Sequence, residues 1–96
     1  MIFTFENGSC NSEQIVYIKA SFSEDRKDIN GVCRITGIEI ECKNDVSHEI
    51  KSKVEIQIFN YFADKDYFCE ECNWKEEARK DIVSYTGVLN VDVDWE

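Results

Sequence analysis

The chain has no proline and only four glycines among its 96 residues. Proline-rich spacers are thereby excluded, and its turns must be built from Gly, Asn, Asp and Ser. It has a single histidine, His48, in a polar stretch with no Ser or Cys in a triad pattern, so a surface position is expected. The four glycines are scattered singly, so a phosphate-cradling glycine loop is absent, as are a nucleophile elbow and an EF-hand loop. No apolar run approaches the roughly 20 residues that span a bilayer. The opening Met1 to Glu6 carries no basic leader, so neither a signal peptide nor a membrane anchor is expected, and a cytoplasmic protein is.

Cations are also scarce. Eleven Lys plus Arg stand against twenty Asp plus Glu, a net charge of −9. That balance opposes direct binding to nucleic acid or to an anionic membrane and favours a basic protein partner. Hydrophobic residues make up 43% of the chain, enough for a modest core and too many for a disordered segment. The five cysteines, Cys10, Cys33, Cys42, Cys69 and Cys72, are odd in number and lack the spacing of a secreted scaffold, which favours reduced thiols.

The apolar patterning predicts one α+β domain over residues 1–96. Residues 1–6 and 13–23 read as strands joined in a hairpin by "NGSCNS". Residues 32–43 read as a third strand whose phase slips, with Cys33 and Ile35 on one parity and Ile38, Ile40 and Cys42 on the other. Gly37 stands at the slip, where a β-bulge is expected. In residues 50–62, Val54, Ile56 and Ile58 alternate with Glu55, Gln57 and Phe59, which predicts a fourth strand. Residues 64–72 leave a turn or a helix open. A helix then runs from the N-cap Asn73, with Glu76 as capping-box partner, to Gly87, and presents Trp74, Ala78, Ile82 and Tyr85 as one stripe. The closing "VLNVDVDWE" alternates as a last strand. The expected architecture is therefore a mainly antiparallel sheet of about five strands with one helix in the C-terminal half packed on one face, in the order β-β-β-β-α-β.

Two motifs bear on chemistry. In "CEEC", Cys69 and Cys72 have the spacing of a metal clasp or redox pair, but a structural zinc site needs four ligands. Glu70 and Glu71 would also raise the thiol pKa values, against redox use. "EIECK" at 39 to 43 resembles the metal-binding edge of one class of nucleases, in a three-residue pattern that an acidic chain produces easily. The alternative reading is therefore a small metal-binding module or metal-dependent enzyme using Cys69 and Cys72 or the strand carboxylates. The favoured reading has no catalytic residue, metal or cofactor.

That reading rests on where the acid lies. On the last strand Asp92, Asp94 and Glu96 share a face with no cation nearby in the sequence. Such rows repel themselves and call for a partner outside the chain. Together with Glu39, Glu41 and Glu55 they are the expected electrostatic contacts, and Phe59 and Tyr61 the expected aromatic anchors. In composition and size the chain resembles the small acidic proteins that phages and bacteria use as DNA mimics, anti-restriction factors, anti-CRISPR proteins or nuclease immunity proteins. The resemblance implies inhibition of a basic partner, a nucleic-acid-binding enzyme or a toxin. The opposing reading is that the charge only keeps the protein soluble.

Overall fold

A computed structural model of the chain describes residues 1–24 and 31–95. The chain opens with a tight hairpin of β1 (Ile2–Phe5) and β2 (Gly8–Asn11), which pairs Phe3 with Cys10 and Phe5 with Gly8. The expected hairpin between residues 1–6 and 13–23 is thus corrected. Glu6 and Asn7 make the turn, and the stretch read as a loop returns as β2, because Gly8 at φ +150° takes a backbone conformation other residues avoid. A single 3-10 turn, Ser12–Gln14, redirects the chain. Asn11 caps it by accepting from the Glu13 N–H at 3.2 Å, and the Gln14 side chain accepts from the Asn11 N–H at 2.8 Å.

The long strands β3 (Ile15–Glu24) and β4 (Val32–Cys42) form an antiparallel pair. Ser21 pairs with Gly37 but Phe22 pairs with Ile35, so Thr36 is the extra residue of a bulge. This is the expected phase slip. It lets Cys33, Ile35 and Ile40 all face the core despite their opposite parities.

Residues 50–62 are not a fourth strand; they belong to helix α1 (His48–Phe62). Ile50, Val54, Ile58 and Phe62 recur every fourth residue and are buried, whereas Ile56, which a strand would bury with Val54 and Ile58, is 59% exposed. Ser47 starts the helix by accepting from the Ile50 N–H at 3.2 Å. The short β5 (Tyr67–Phe68) resolves the open stretch before α2 (Trp74–Thr86). Trp74, Ala78 and Ile82 are buried as expected, with Tyr85 half-buried and Thr86 completing the stripe. Gly87 ends α2 at φ +77°, donating its N–H to the Val83 carbonyl at 2.8 Å. Asn73 occupies the N-cap without a side-chain cap bond, and Glu76, its expected capping-box partner, accepts from Arg79 instead.

The last strand, β6 (Val91–Trp95), lies parallel to β3, giving the sheet order β5-β4-β3-β6 with the hairpin as a separate two-stranded sheet. The result is an α+β fold, mostly antiparallel. One contiguous core unites Ile18, Phe22 and Ile40 of the sheet with Val54, Ile58, Trp74 and Ile82 of the helices. Phe22 anchors it, meeting Tyr67 and Trp74 edge-on at 5.7 and 5.5 Å. Both helices therefore cover one face of the sheet and leave the other open. Among the described residues, no helix is long and apolar enough to cross a membrane.

Candidate functional site

The open sheet face follows from strand alternation. With Ile18, Ala20 and Phe22 turned to the core, Tyr17, Lys19, Ser21 and Ser23 of β3 face outward. On one side β4 sets Glu41 opposite Tyr17 and Glu39 opposite Lys19. On the other side β6 sets Asp92 opposite Lys19 and Asp94 opposite Ser21. Two carboxylate rows thus flank β3, separated by two strand spacings, about 9.6 Å.

The row on β6 is held from beneath. Tyr17 donates its hydroxyl to Asp92 Oδ2 at 3.3 Å, and Lys19 Nζ lies 3.2 Å from Asp94 Oδ2. The ammonium, stabilised first by its hydrogen bond to Asp94 and then by that charge, has its pKa raised. Tyr17 is raised too, by desolvation and then by the Asp92 charge. The expectation that Asp92 and Asp94 lack a cation is corrected, because the cation comes from a strand over 70 residues earlier in the chain. At the far end of the face Arg34 pairs with Asp66 at 2.9 Å. Among the described residues each of these aspartates has one carboxylate oxygen engaged.

The remaining expected residues lie elsewhere. Glu55 sits on α1 and accepts from the Ile40 N–H at 2.9 Å, closing part of the β4 edge that β5, paired only with Val32 and Cys33, leaves unpaired. Phe59, one helical turn on, is half-buried and lines a groove of about 360 Å³ with Ile38, Ser52 and Ile56. Tyr61 is exposed on the helical layer, stacked on Tyr85 at 3.8 Å with Lys65 Nζ 5.0 Å from its ring. The helix separates these anchors from the acidic rows that a strand would have joined. Glu96 falls outside the described residues.

In the CEEC stretch Cys69 is half-buried and Cys72 is exposed, and the thiol of Cys33 on the neighbouring strand donates to the Tyr67 carbonyl at 3.1 Å. Among the described residues no group of three or more His, Cys, Asp or Glu side chains is placed to hold a metal ion. Glu41 and Lys43 border a second groove, of about 380 Å³, with Cys42, Val46, His48 and Lys51. His48 is exposed there as the first residue of α1.

Sequence reasoning missed Tyr17 and Lys19. Their outward parity is written in "VYIKASFS", but their neighbours depend on which strands flank β3, which local patterning does not encode. No protein family, curated protein or solved structure matches this chain.

Proposed function

We propose that the chain is a non-enzymatic cytoplasmic binding protein that inhibits a basic, nucleic-acid-handling protein by laying the open sheet face over its nucleic-acid site. The observation that carries this reading is the pair of carboxylate rows, Glu39 with Glu41 and Asp92 with Asp94, on the face the helices leave uncovered. Carboxylates two residues apart on a strand lie about 6.7 Å from each other. Along β3 the acids fall at three successive outward levels, Glu41 beside Tyr17, Glu39 and Asp92 on either side of Lys19, and Asp94 beside Ser21, so with the Lys19 charge counted the patch carries about one net negative charge per 6.7 Å, half the axial density of one DNA strand. The patch is only two residues long in each row. It suits occlusion of a compact basic site, as a nuclease immunity protein achieves it, better than imitation of an extended duplex. Tyr17 and Lys19 hold the β6 carboxylates in place, so less side-chain freedom is lost on binding. Direct contact with nucleic acid is disfavoured by the same charge.

The test compares two immobilised proteins, the wild type and a Glu39→Gln/Glu41→Gln/Asp92→Asn/Asp94→Asn variant, in one lysate of the host cell at low salt. The wild type should retain a basic nucleic-acid-binding protein that salt and added duplex DNA both release. The variant, folded by circular dichroism, should not. Equal retention by both would show that the sheet face is not the binding surface.

A further inference from the structure

Ile56 is 59% exposed on α1, and it does not stand alone. Ser52, Glu55, Ile56 and Phe59 recur at helical spacing, so they form one stripe along the helix. With Ile38 of β4 they line the groove of about 360 Å³. Ile38 pairs with Ala20 and so turns its side chain to the helix side of the sheet, where it is half-buried. The groove therefore lies along the edge of β4 that faces away from β3.

That edge is open. β5 pairs with β4 at Val32 and Cys33, and no strand among the described residues covers β4 from Ile38 to Cys42 on this side. The direction of the backbone groups follows from Ile40, whose N–H points away from β3 to Glu55 Oε2 at 2.9 Å. In an antiparallel ladder the outward groups belong to alternate residues, so Ile38 also turns its N–H and C=O to the open edge. Glu39 and Glu41 have the other parity, and their side chains are exposed on the open sheet face.

We propose that this edge docks an extended segment of a partner protein, added antiparallel to β4 in line with β5, in which apolar side chains alternate with Lys or Arg. Incoming residues opposite Ile38 and Ile40 share the helix side of the sheet, where Ile38, Ile56 and Phe59 offer an apolar groove. Those opposite Glu39 and Glu41 stand on the open face, where a cation meets a carboxylate directly across the strands. The fold itself leaves that demand unmet. Glu41 faces Tyr17 on β3, and Lys19, which faces Glu39, reaches to Asp94 instead. Lys43, the next residue of this parity, bounds the acidic stretch. A second copy of the chain fits poorly, because its own β4 and β6 would set like charges opposite Glu39 and Glu41. Glu55 acts as a placeholder, occupying the Ile40 N–H until a partner carbonyl replaces it. The site shares Glu39 and Glu41 with the open face but does not depend on what that face covers.

The probe is the peptide acetyl-Ser-Val-Lys-Val-Lys-Val-Ser-amide. Its lysines fall opposite Glu39 and Glu41 when its valines fall opposite Ile38, Ile40 and Cys42. In an NMR titration carried to millimolar peptide it should bind the purified chain and slow hydrogen exchange at the Ile38 amide. N-methylation of its valines removes the donors aimed at β4 and should weaken binding about tenfold or more, whereas N-methylation of its lysines, whose N–H groups point away, should change it less than about threefold. Ile56→Lys alters an exposed side chain and should weaken the unmodified peptide. No protection of Ile38, or equal loss from both methylated peptides, would overturn the assignment. So would a chain that is dimeric alone and monomeric as Ile56→Lys, since a second copy would then occupy the edge. The peptide replaces the natural partner, so its failure to bind is distinct from a failure of the lysate capture.

Discussion

Lys19 reaches diagonally across the β3–β6 pair to Asp94, at 3.2 Å, although its register neighbours are Glu39 and Asp92. One ammonium thus sits among three carboxylates and offsets part of their mutual repulsion. Both members of the contact are substantially exposed, so the pair is screened and contributes modestly to stability. Its larger effect is on the charge and order of the open face.

Replacing Lys19 by Met keeps a flexible apolar side chain and removes the cation. The variant should melt below the wild type at low ionic strength, and the gap should close as salt screens the remaining acids. Thermal melts at two salt concentrations check this. A gap of equal size at both would mean that Lys19 acts through the packing of its methylenes.

The bulge on β4 permits a sharper contrast. Deleting Thr36 removes the extra residue and puts Cys33, Ile35, Ile38 and Ile40 on one parity, so β4 can keep its register with β3 as an unbulged strand. The deletion should keep a cooperative unfolding transition, and loss of that transition would mean that the bend at the bulge is itself needed for packing. Gly37→Ala should be tolerated within about 1 kcal/mol, because an added Cβ meets nothing within 4 Å. Chemical denaturation of both proteins separates the role of the extra residue from that of the glycine.

How far the sequence disclosed this arrangement depends on the range of the interactions involved. The bulge was legible because the parity change is local, and α2 was legible because Trp74, Ala78 and Ile82 repeat at the helical period beside Gly87. Helix α1 was misread because Val54 and Ile58 satisfy both periods while Ile56 between them fits only that of a strand. The exposure of Ile56 decides between them, and it depends on what packs against the helix. At the candidate site the outward acids on β4 and β6 were legible one strand at a time. That β3 lies between them, bringing Tyr17 and Lys19, follows from a parallel crossover linking segments far apart in the chain.

Glu55 offers a test of edge protection. Its carboxylate accepts from the Ile40 N–H at 2.9 Å. Glu55→Ala leaves that donor without a protein partner and should cost about 1 to 3 kcal/mol. Glu55→Gln keeps an acceptor oxygen and should recover most of the loss. The alanine variant should also self-associate more readily, because a free strand edge invites pairing. Denaturant titration and sedimentation velocity read the two effects separately. Equal destabilisation by Gln and Ala would place the contribution in the charge instead of the bond.

The buried thiols make stability fall at alkaline pH. Burial foremost raises Cys33 from 9.0 to about 12 and Cys42 from 9.0 to about 11. A thiol whose folded pKa exceeds its unfolded value stabilises the protein fully below the unfolded pKa and loses that contribution as pH rises through the folded one. In the reduced protein the unfolding free energy should therefore decline from about pH 9 upward. The Cys42 share should be exhausted near pH 11 and the Cys33 share near pH 12. Tyr67, buried with its hydroxyl donated to Asp81 at 2.7 Å, is also raised and adds a loss that begins above its ordinary value of 10.0. Tyr67→Phe keeps the ring against Phe22 and removes the hydroxyl, so it should be less stable than the wild type at neutral pH, by about 1 kcal/mol. Its deficit should shrink as pH rises past 10, because it has no phenol to ionise. Urea unfolding of both proteins across this range checks the sign. A deficit that widens with pH would mean that the Tyr67 phenolate is better accommodated in the folded chain than in the unfolded one.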